Sequence, residues 1–359
     1  MLDVRSLTLD KTKRIIVTSD IHANLELFKK LLNKVNFTED DYLFINGDLC
    51  EKGPNSLEVV EYVRNLMTVN QNVFLTKGNC DVVFRYVFNN LQGIIPYMKR
   101  QPYSILNEMI NIYGKTIDDF ADLKELSKFY RENFGELIDW LESLPNAYET
   151  EDFIIVHAAL ENINDWKETK DEYSLYTYAF GESEHQANKN VIVGHWPVVN
   201  YRATDISSHN PLIDLNKRII SIDGGNQIKP DGQLNALIFE NGEYSFTFVD
   251  ELTKEMMIPE DFEDTTGRKG TVTYPNYEIN ILEREKFFTL CENKNLAIKQ
   301  WIKNEYLSEE GEKVVCKDDL STTFLSVSKG ERVKVVDDQC EGYTLVKKQT
   351  GEIGWVPKM

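Results

Sequence analysis

Apolar residues in this chain follow two rhythms. Short runs at residues 14–19 (RIIVTS), 42–45 (YLFI) and 73–76 (VFLT) are bounded by polar turns and predict buried strands. Between the first two, Leu25, Phe28, Leu31, Leu32 and Val35 recur at three- and four-residue spacing. Glu26, Lys29, Lys30 and Lys34 fill the opposite face, which predicts an amphipathic helix. Leu57, Val60, Val63 and Met67 predict a second helix, after the turn-and-cap signal Gly53-Pro54-Asn55-Ser56. Strand, helix, strand, helix, strand implies parallel pairing with crossover helices. Residues 82–144 are mixed and mostly helical in pattern, and predict an insert that covers one side of the strand ends. Strand-like runs resume at 153–156, 191–193 and 219–222. Residues 234–239 and 244–249 predict a hairpin around Glu240-Asn241-Gly242.

The pattern changes after residue 250. Residues 251–275 are polar, and 285–306 predict a helix that packs through Phe287, Leu290, Leu296, Ile298 and Trp301. Short runs at 323–327, 332–336, 343–347 and 353–356, separated by Gly and Asp turns, predict a small β-barrel. The expected plan is a domain over 1–250 with its helical insert at about 82–144, a connecting segment with a helix over 251–312, and a barrel over 313–359. No run approaches 18 apolar residues, so no membrane span is expected, and residues 1–13 lack an apolar signal core. The five scattered cysteines form no Cys-x-x-Cys pair, which fits a reducing cytoplasm. The net charge of −19 repels phosphate backbones, so neither nucleic acid nor an anionic membrane is an expected partner.

The chemistry sits just after the strand-like runs. Ser19-Asp20-Ile21-His22, Gly47-Asp48, Gly78-Asn79-Cys80-Asp81, Val156-His157-Ala158 and Gly194-His195-Trp196-Pro197 each follow one. Carboxyl ends of strands are where α/β folds place their sites. Each motif alone also reads as an ordinary turn. Yet three of the five histidines (His22, His157, His195) stand at strand ends, with Asp48 and Asn79 between them. His185 and His209 lie in polar stretches and are expected at the surface. Asp20 and His22, two residues apart, would point to one face of an extended chain. Asp, His, Asp, Asn, His and His form a nitrogen and oxygen donor set for two divalent metals sharing a carboxylate. Such pairs activate water against phosphorus–oxygen bonds. Lys52, Lys77, Arg85 and Arg202 follow the motifs and are candidate phosphate binders, Lys52 foremost because its loop is short.

These motifs resemble the calcineurin-like metallophosphoesterases. Within them they look most like the phosphoprotein-phosphatase branch, which holds Ser/Thr protein phosphatases and diadenosine tetraphosphate hydrolases. The family's Gly-Asp-x-His-Gly, Gly-Asp-x-x-Asp-Arg-Gly, Gly-Asn-His-Glu/Asp, His-Ala-Gly and Gly-His stretches appear here in five segments. They are Ser19 to Ala23, Gly47 to Gly53, Gly78 to Asp81, His157 to Ala159 and Gly194-His195. Ile222-Asp223-Gly224-Gly225 and Leu234-Asn235-Ala236-Leu237 are similar to its closing segment. The resemblance covers roughly residues 14–248. It implies an α/β fold, a metallophosphoesterase β-sandwich flanked by helices. It implies that Asp20 and His22 hold one metal, Asp48 bridges, and Asn79, His157 and His195 hold the second. Manganese is the expected metal, with iron, zinc and cobalt as alternatives. Lys52 stands where the family has a phosphate-gripping arginine, keeping the charge but not the fork. Cys80 replaces the histidine that, paired with the following acid (here Asp81), protonates the leaving group.

The implied function is hydrolysis of phosphomonoesters by a metal-bridging hydroxide, with Ser/Thr protein phosphatase activity within it. A dinucleoside polyphosphate hydrolase or phosphodiesterase is the alternative, and a metal-stabilised scaffold the non-enzymatic one. The last segment is similar to a Src-homology-3-like barrel at Ser328-Lys329-Gly330-Glu331 and Gly354-Trp355-Val356-Pro357, which offers a surface for a protein partner.

Overall fold

The structure, a computed structural model, describes residues 1–358. It divides into two units, residues 1–196 with 211–250, and residues 197–210 with 251–358.

The first unit is built on two sheets. One has five strands in the order Glu243–Asp250, Gln233–Glu240, Ile15–Thr18, Tyr42–Asn46 and Val73–Thr76, the last three parallel. The other has six, in the order Val4–Ser6, Ala147–Glu149, Phe153–Val156, Asn190–Val193, Ile219–Ser221 and Leu212–Asp214. Its central three are also parallel. Strand alternation decides which residue enters which layer. Ile15, Val17, Phe44, Ile155, Ile192 and Ile220 join one core with residues of both sheets. Their neighbours Ile16, Leu43 and Ile45 join the helical core instead, and Ile154, Val156, Val191 and Val193 a third. The runs therefore read as continuously apolar because both faces are covered.

Helix Leu25–Lys34 buries Leu25, Leu27, Phe28, Leu31 and Leu32, and the Asn24 side chain accepts from the Leu27 N–H to cap it. Helix Ser56–Val69 is capped differently from the local signal: the Glu108 carboxylate accepts from the Ser56 and Leu57 N–H groups. Residues 82–144 carry helices Phe84–Phe88, Ile94–Arg100, Ile105–Asn111 and Leu123–Glu142. The closing hairpin turns at Asn241 and Gly242, both with positive φ (54° and 84°), as a two-residue turn between twisted strands requires.

The second unit is all-β apart from short 3-10 turns at Val198–Tyr201 and Asn304–Tyr306. The helix expected over 285–306 is absent; strands Phe288–Asn293 and Lys299–Lys303 pair there instead. The reason is local. The Asn293 side chain accepts from the N–H groups of Asn295 and Leu296, closing a turn that helical periodicity cannot see. Nor is 251–312 a separate connector. Glu278–Arg284 pairs with Lys313–Cys316, and Glu255–Met257 with Arg332–Asp337, so the two C-terminal segments share sheets. An all-β C-terminal region is present, but a closed barrel is not shown. Phe288, Phe324 and Trp355 form its core.

Candidate metal centre

Each of the five strand-end motifs lies just beyond the carboxyl end of a parallel strand, and Asp223, after Ile219–Ser221, brings the number to three in each sheet. The local backbone is unusual. Asp20, His22, Asp48 and His195 all have positive φ, at 56°, 48°, 52° and 66°. Side chains rarely tolerate that region, and such strain persists only where surroundings over-determine it. Here Asp20 N–H donates to Gly47 O, His22 N–H to Asp48 O and Ala23 N–H to Leu49 O, stitching two strand-end loops together. Asp20 and His22 are thus brought together by left-handed turns, not by the strand alternation expected of an extended chain. Glycine is required at 78, where an added Cβ would lie 2.2 Å from the Asp48 backbone nitrogen.

The side chains converge in two groups that share one carboxylate. His22, Asp48 and Cys80 offer donor atoms within 4.8 Å of one another, and so do Asp48, His157 and His195. His22 Nε2 lies 3.9 Å from both Asp20 Oδ1 and Asp48 Oδ2. His157 Nε2 lies 3.4 Å from Asp48 Oδ1 and 3.0 Å from Asn79 Oδ1. The other ring nitrogens are spoken for: Nδ1 of His22 faces the Cys50 carbonyl at 3.1 Å, and Nδ1 of His157 the Asn46 carbonyl at 3.0 Å. Such contacts set the tautomer and aim Nε2 at the centre. The carbonyl anchor at Asn46 is itself fixed, because the Asn46 amide donates to Val156 O and accepts from the Thr76 hydroxyl.

The electrostatics match a cation site. Burial lowers the pKa of His22, and that of His195 to about 3, so both imidazoles stay neutral and able to ligate. Burial, then the charges of Asp223 and Asp48, push Asp20 well above the usual carboxylate range. Asp48 is also pushed up by burial, but His157, His22 and His195 pull it below its ordinary value. His22 Nε2 and His195 Nε2 are buried without a hydrogen-bond partner. Buried polar atoms are nearly always satisfied, so this donor set fits two divalent cations.

The remaining sequence candidates separate. Lys52 lies beside the centre, lining a cavity of about 460 Å³ with Asn79, Cys80, Tyr86, Tyr97 and Arg100. Burial, then the Asp48 charge, raises the Cys80 thiol pKa well above its usual value. Asp81 has both oxygens turned to main chain, accepting from Asp48 and Gly78 N–H on one and Leu49 and Cys50 N–H on the other. Lys77 is buried with its ammonium 3.8 Å from Glu142, and Arg85 is paired with Glu142 and Asp171. Arg202 is half-buried in a segment that belongs to the second unit. His209, expected at the surface, is buried, and His185 is half-buried.

Two groups were not picked as site residues from the sequence. Asp223 is buried, its pKa raised to about 7 by burial and the Asp48 charge, and its place after a strand was the available signal. Glu51 is buried in the cavity wall, where it accepts from Tyr97 Oη, Ser104 Oγ and the Ile105 N–H. No local pattern marks it, because its partners come from the insert.

The model of the calcineurin-like phosphoesterase family matches residues 13–213, more than half the chain. The chain belongs to that family. It is 30% identical over 144 residues to the symmetrical bis(5'-nucleosyl)-tetraphosphatase of Proteus mirabilis, a match covering 39% of this chain and 42% of that enzyme. The chain thus spans less than half the length of this relative. It is 23% identical over 226 residues to the asymmetrical bis(5'-nucleosyl)-tetraphosphatase PrpE of Bacillus subtilis, covering 58% of this chain and 84% of that one. Among solved structures it is similar to a protein serine/threonine phosphatase of Saccharomyces cerevisiae, with TM-score 0.43, 12% identity and 70% and 85% coverage. A metallophosphoesterase of Sphaerobacter thermophilus gives TM-score 0.40, 18% identity and 67% and 89% coverage.

Proposed function

We propose that the chain is a metal-dependent phosphoesterase whose substrates release a weakly basic leaving group. The observation that carries this reading is the pair of donor groups sharing Asp48. Asp20, His22 and Asp48 would hold one divalent ion, and Asp48, Asn79, His157 and His195 the other. Bound there, the ions supply an activated water and neutralise phosphoryl charge. The chain's part is to hold the imidazoles in one tautomer and to keep the carboxylates packed in a buried site. Lys52 faces the cavity as a point charge for a phosphoryl oxygen.

The cavity and Cys80 support this choice of substrate class. A thiol, of reference pKa about 8.5, protonates a departing alkoxide poorly near pH 7. A nucleotide or phenolate needs no such help. The cavity beside Asn79 and Cys80 is walled by Tyr86, Tyr97, Tyr176, Val83 and Ile94, which suits a planar group. Dinucleoside polyphosphates combine both properties, in line with the tetraphosphatases among the relatives. The second reading is a phosphomonoesterase, including a Ser/Thr protein phosphatase, favoured by the resemblance of the donor motifs.

Manganese-loaded protein assayed on a dinucleoside tetraphosphate, p-nitrophenyl phosphate, its bis-ester and a phosphoserine peptide tests this. The tetraphosphate or the aryl monoester should turn over fastest. Faster hydrolysis of the phosphoserine peptide would favour the second reading. No turnover of any of them, with metal bound, would leave only the scaffold.

A further inference from the structure

We infer that Cys80 contributes its sulfur as a ligand to the metal held by His22 and Asp48, giving this centre a mixed N/O/S character on one side only. The inference rests on the two-metal reading above and adds a donor to it. Three observations converge. First, Sγ of Cys80 belongs to the cluster with His22 and Asp48, whose donor atoms all lie within 4.8 Å of one another. Bond lengths of about 2.0–2.3 Å to a shared ion span such a cluster after small side-chain rotations. Second, His22 Nε2 is buried, has no hydrogen-bond partner, and is a member of the same cluster. Third, the Cys80 main chain is locked to the shared carboxylate, its N–H donating to Asp48 Oδ1 at 2.8 Å. The thiol is nearly covered, and the Asn79 amide approaches Sγ at 3.5 Å, so the sulfur is held in place at the centre.

The asymmetry is chemical. The second group, Asp48, His157 and His195 with Asn79, contains no sulfur. Thiolate ligands favour zinc, whereas oxygen donors suit manganese and magnesium. The two positions should therefore differ in metal preference, the Cys80 side being the thiophilic one. Ligation balances simply: the Sγ–H bond breaks, a sulfur–metal bond forms, and the proton leaves to solvent, since a coordinated thiol is deprotonated outright. A sulfur committed to the metal is not a proton donor, so this role excludes the leaving-group acid expected from the motif.

The test uses the full chain loaded with cobalt(II) alone, with stoichiometry from equilibrium dialysis, and the same protein loaded with zinc. Two cobalt ions should bind, with a sulfur-to-cobalt charge-transfer band in the near ultraviolet. Cys80→Ser should lose the band while still binding metal, and Cys50→Ala should keep it. Competition should show wild type preferring zinc over manganese at least tenfold more strongly than Cys80→Ser. Should Cys80→Ser fail to fold, X-ray absorption of the zinc-loaded wild type decides by itself. One sulfur per two zinc ions, at about 2.3 Å, supports ligation. Two bound ions with neither band nor sulfur scatterer overturn the inference and leave the two-metal reading standing. Failure to bind cobalt stoichiometrically overturns both.

Discussion

Replacing Asp81 by asparagine tests whether this buried acid braces the centre or serves as the partner of a proton donor. Its two oxygens accept four main-chain N–H bonds, from Asp48 and Gly78 at 2.9 Å each, Leu49 at 2.8 Å and Cys50 at 3.3 Å. An amide of the same shape keeps one acceptor oxygen and turns an NH2 donor toward the other two N–H groups. Each buried donor left unmet costs roughly 1–3 kcal/mol. Removing a charge buried beside Asp48 returns part of that, because the two carboxylates repel. We expect a net loss of about 2–4 kcal/mol. At roughly 2–4 °C per kcal/mol for a unit of this size, the melting point should fall by about 5–15 °C. The two loops that move carry Asp48 and Asn79, so metal affinity should fall with them. Guanidinium denaturation and cobalt titration of Asp81→Asn against wild type measure both. Stability within about 0.5 kcal/mol of wild type and unchanged metal binding, with only kcat reduced, would refute the bracing argument in favour of a catalytic partner.

Other consequences can be checked as directly. Chelation should lower the melting point of the first unit and leave the protein inactive; restoring metal at about 100 times its Kd should return roughly 2.7 kcal/mol, readable by calorimetry. Gly78→Ala should abolish metal binding in dialysis, because its Cβ would lie 2.2 Å from both the backbone nitrogen and Oδ1 of Asp48. Tyr97→Ala should raise KM for aryl or dinucleoside substrates about tenfold or more while changing KM for a small alkyl phosphate little, since only the former reach the cavity wall. Arg14 donates to both oxygens of Asp41, and Thr38 N–H adds a third bond. Burial pushes the pKa of Asp41 up, but these partners hold it below the usual value. A depressed folded pKa adds stability above the unfolded value, about 3.9, that is lost as pH falls through the folded value. Asp41→Asn should therefore cost about 1–2 kcal/mol at pH 7, with the gap to wild type closing below about pH 4 in acid titrations of stability.

Much of the centre was legible in the chain because strand-end chemistry is local. An apolar run followed by Asp, Asn or His reads the same way in sequence and in space: His22, His157 and His195 group with Asp48, Asp20 lies 3.9 Å from His22, and Asn79 3.0 Å from His157. In the first unit the strands and helices 25–34 and 56–69 were legible from their apolar runs and periodicity, whereas the two-sheet layering was expected only from the family resemblance. Long-range pairing was not. Lys77 and Arg85 looked free for phosphate until Glu142 and Asp171, more than 50 residues away, were seen to hold them. Glu51 gained its role only when the insert folded over it, and Glu108, within the insert, only when it met the start of helix Ser56–Val69. The second unit misled the periodicity altogether. Leu290, Leu296 and Trp301 imitate a helical stripe, but the Asn293 turn and two paired strands satisfy the backbone instead. Residue order alone thus set the donor types and their place at strand ends, since both depend on neighbours along the chain. Which charges face the cavity, which are spent on ion pairs, and how Cys80 comes to lie against His22 and Asp48 depended on contacts between distant segments, and only the folded chain could decide them.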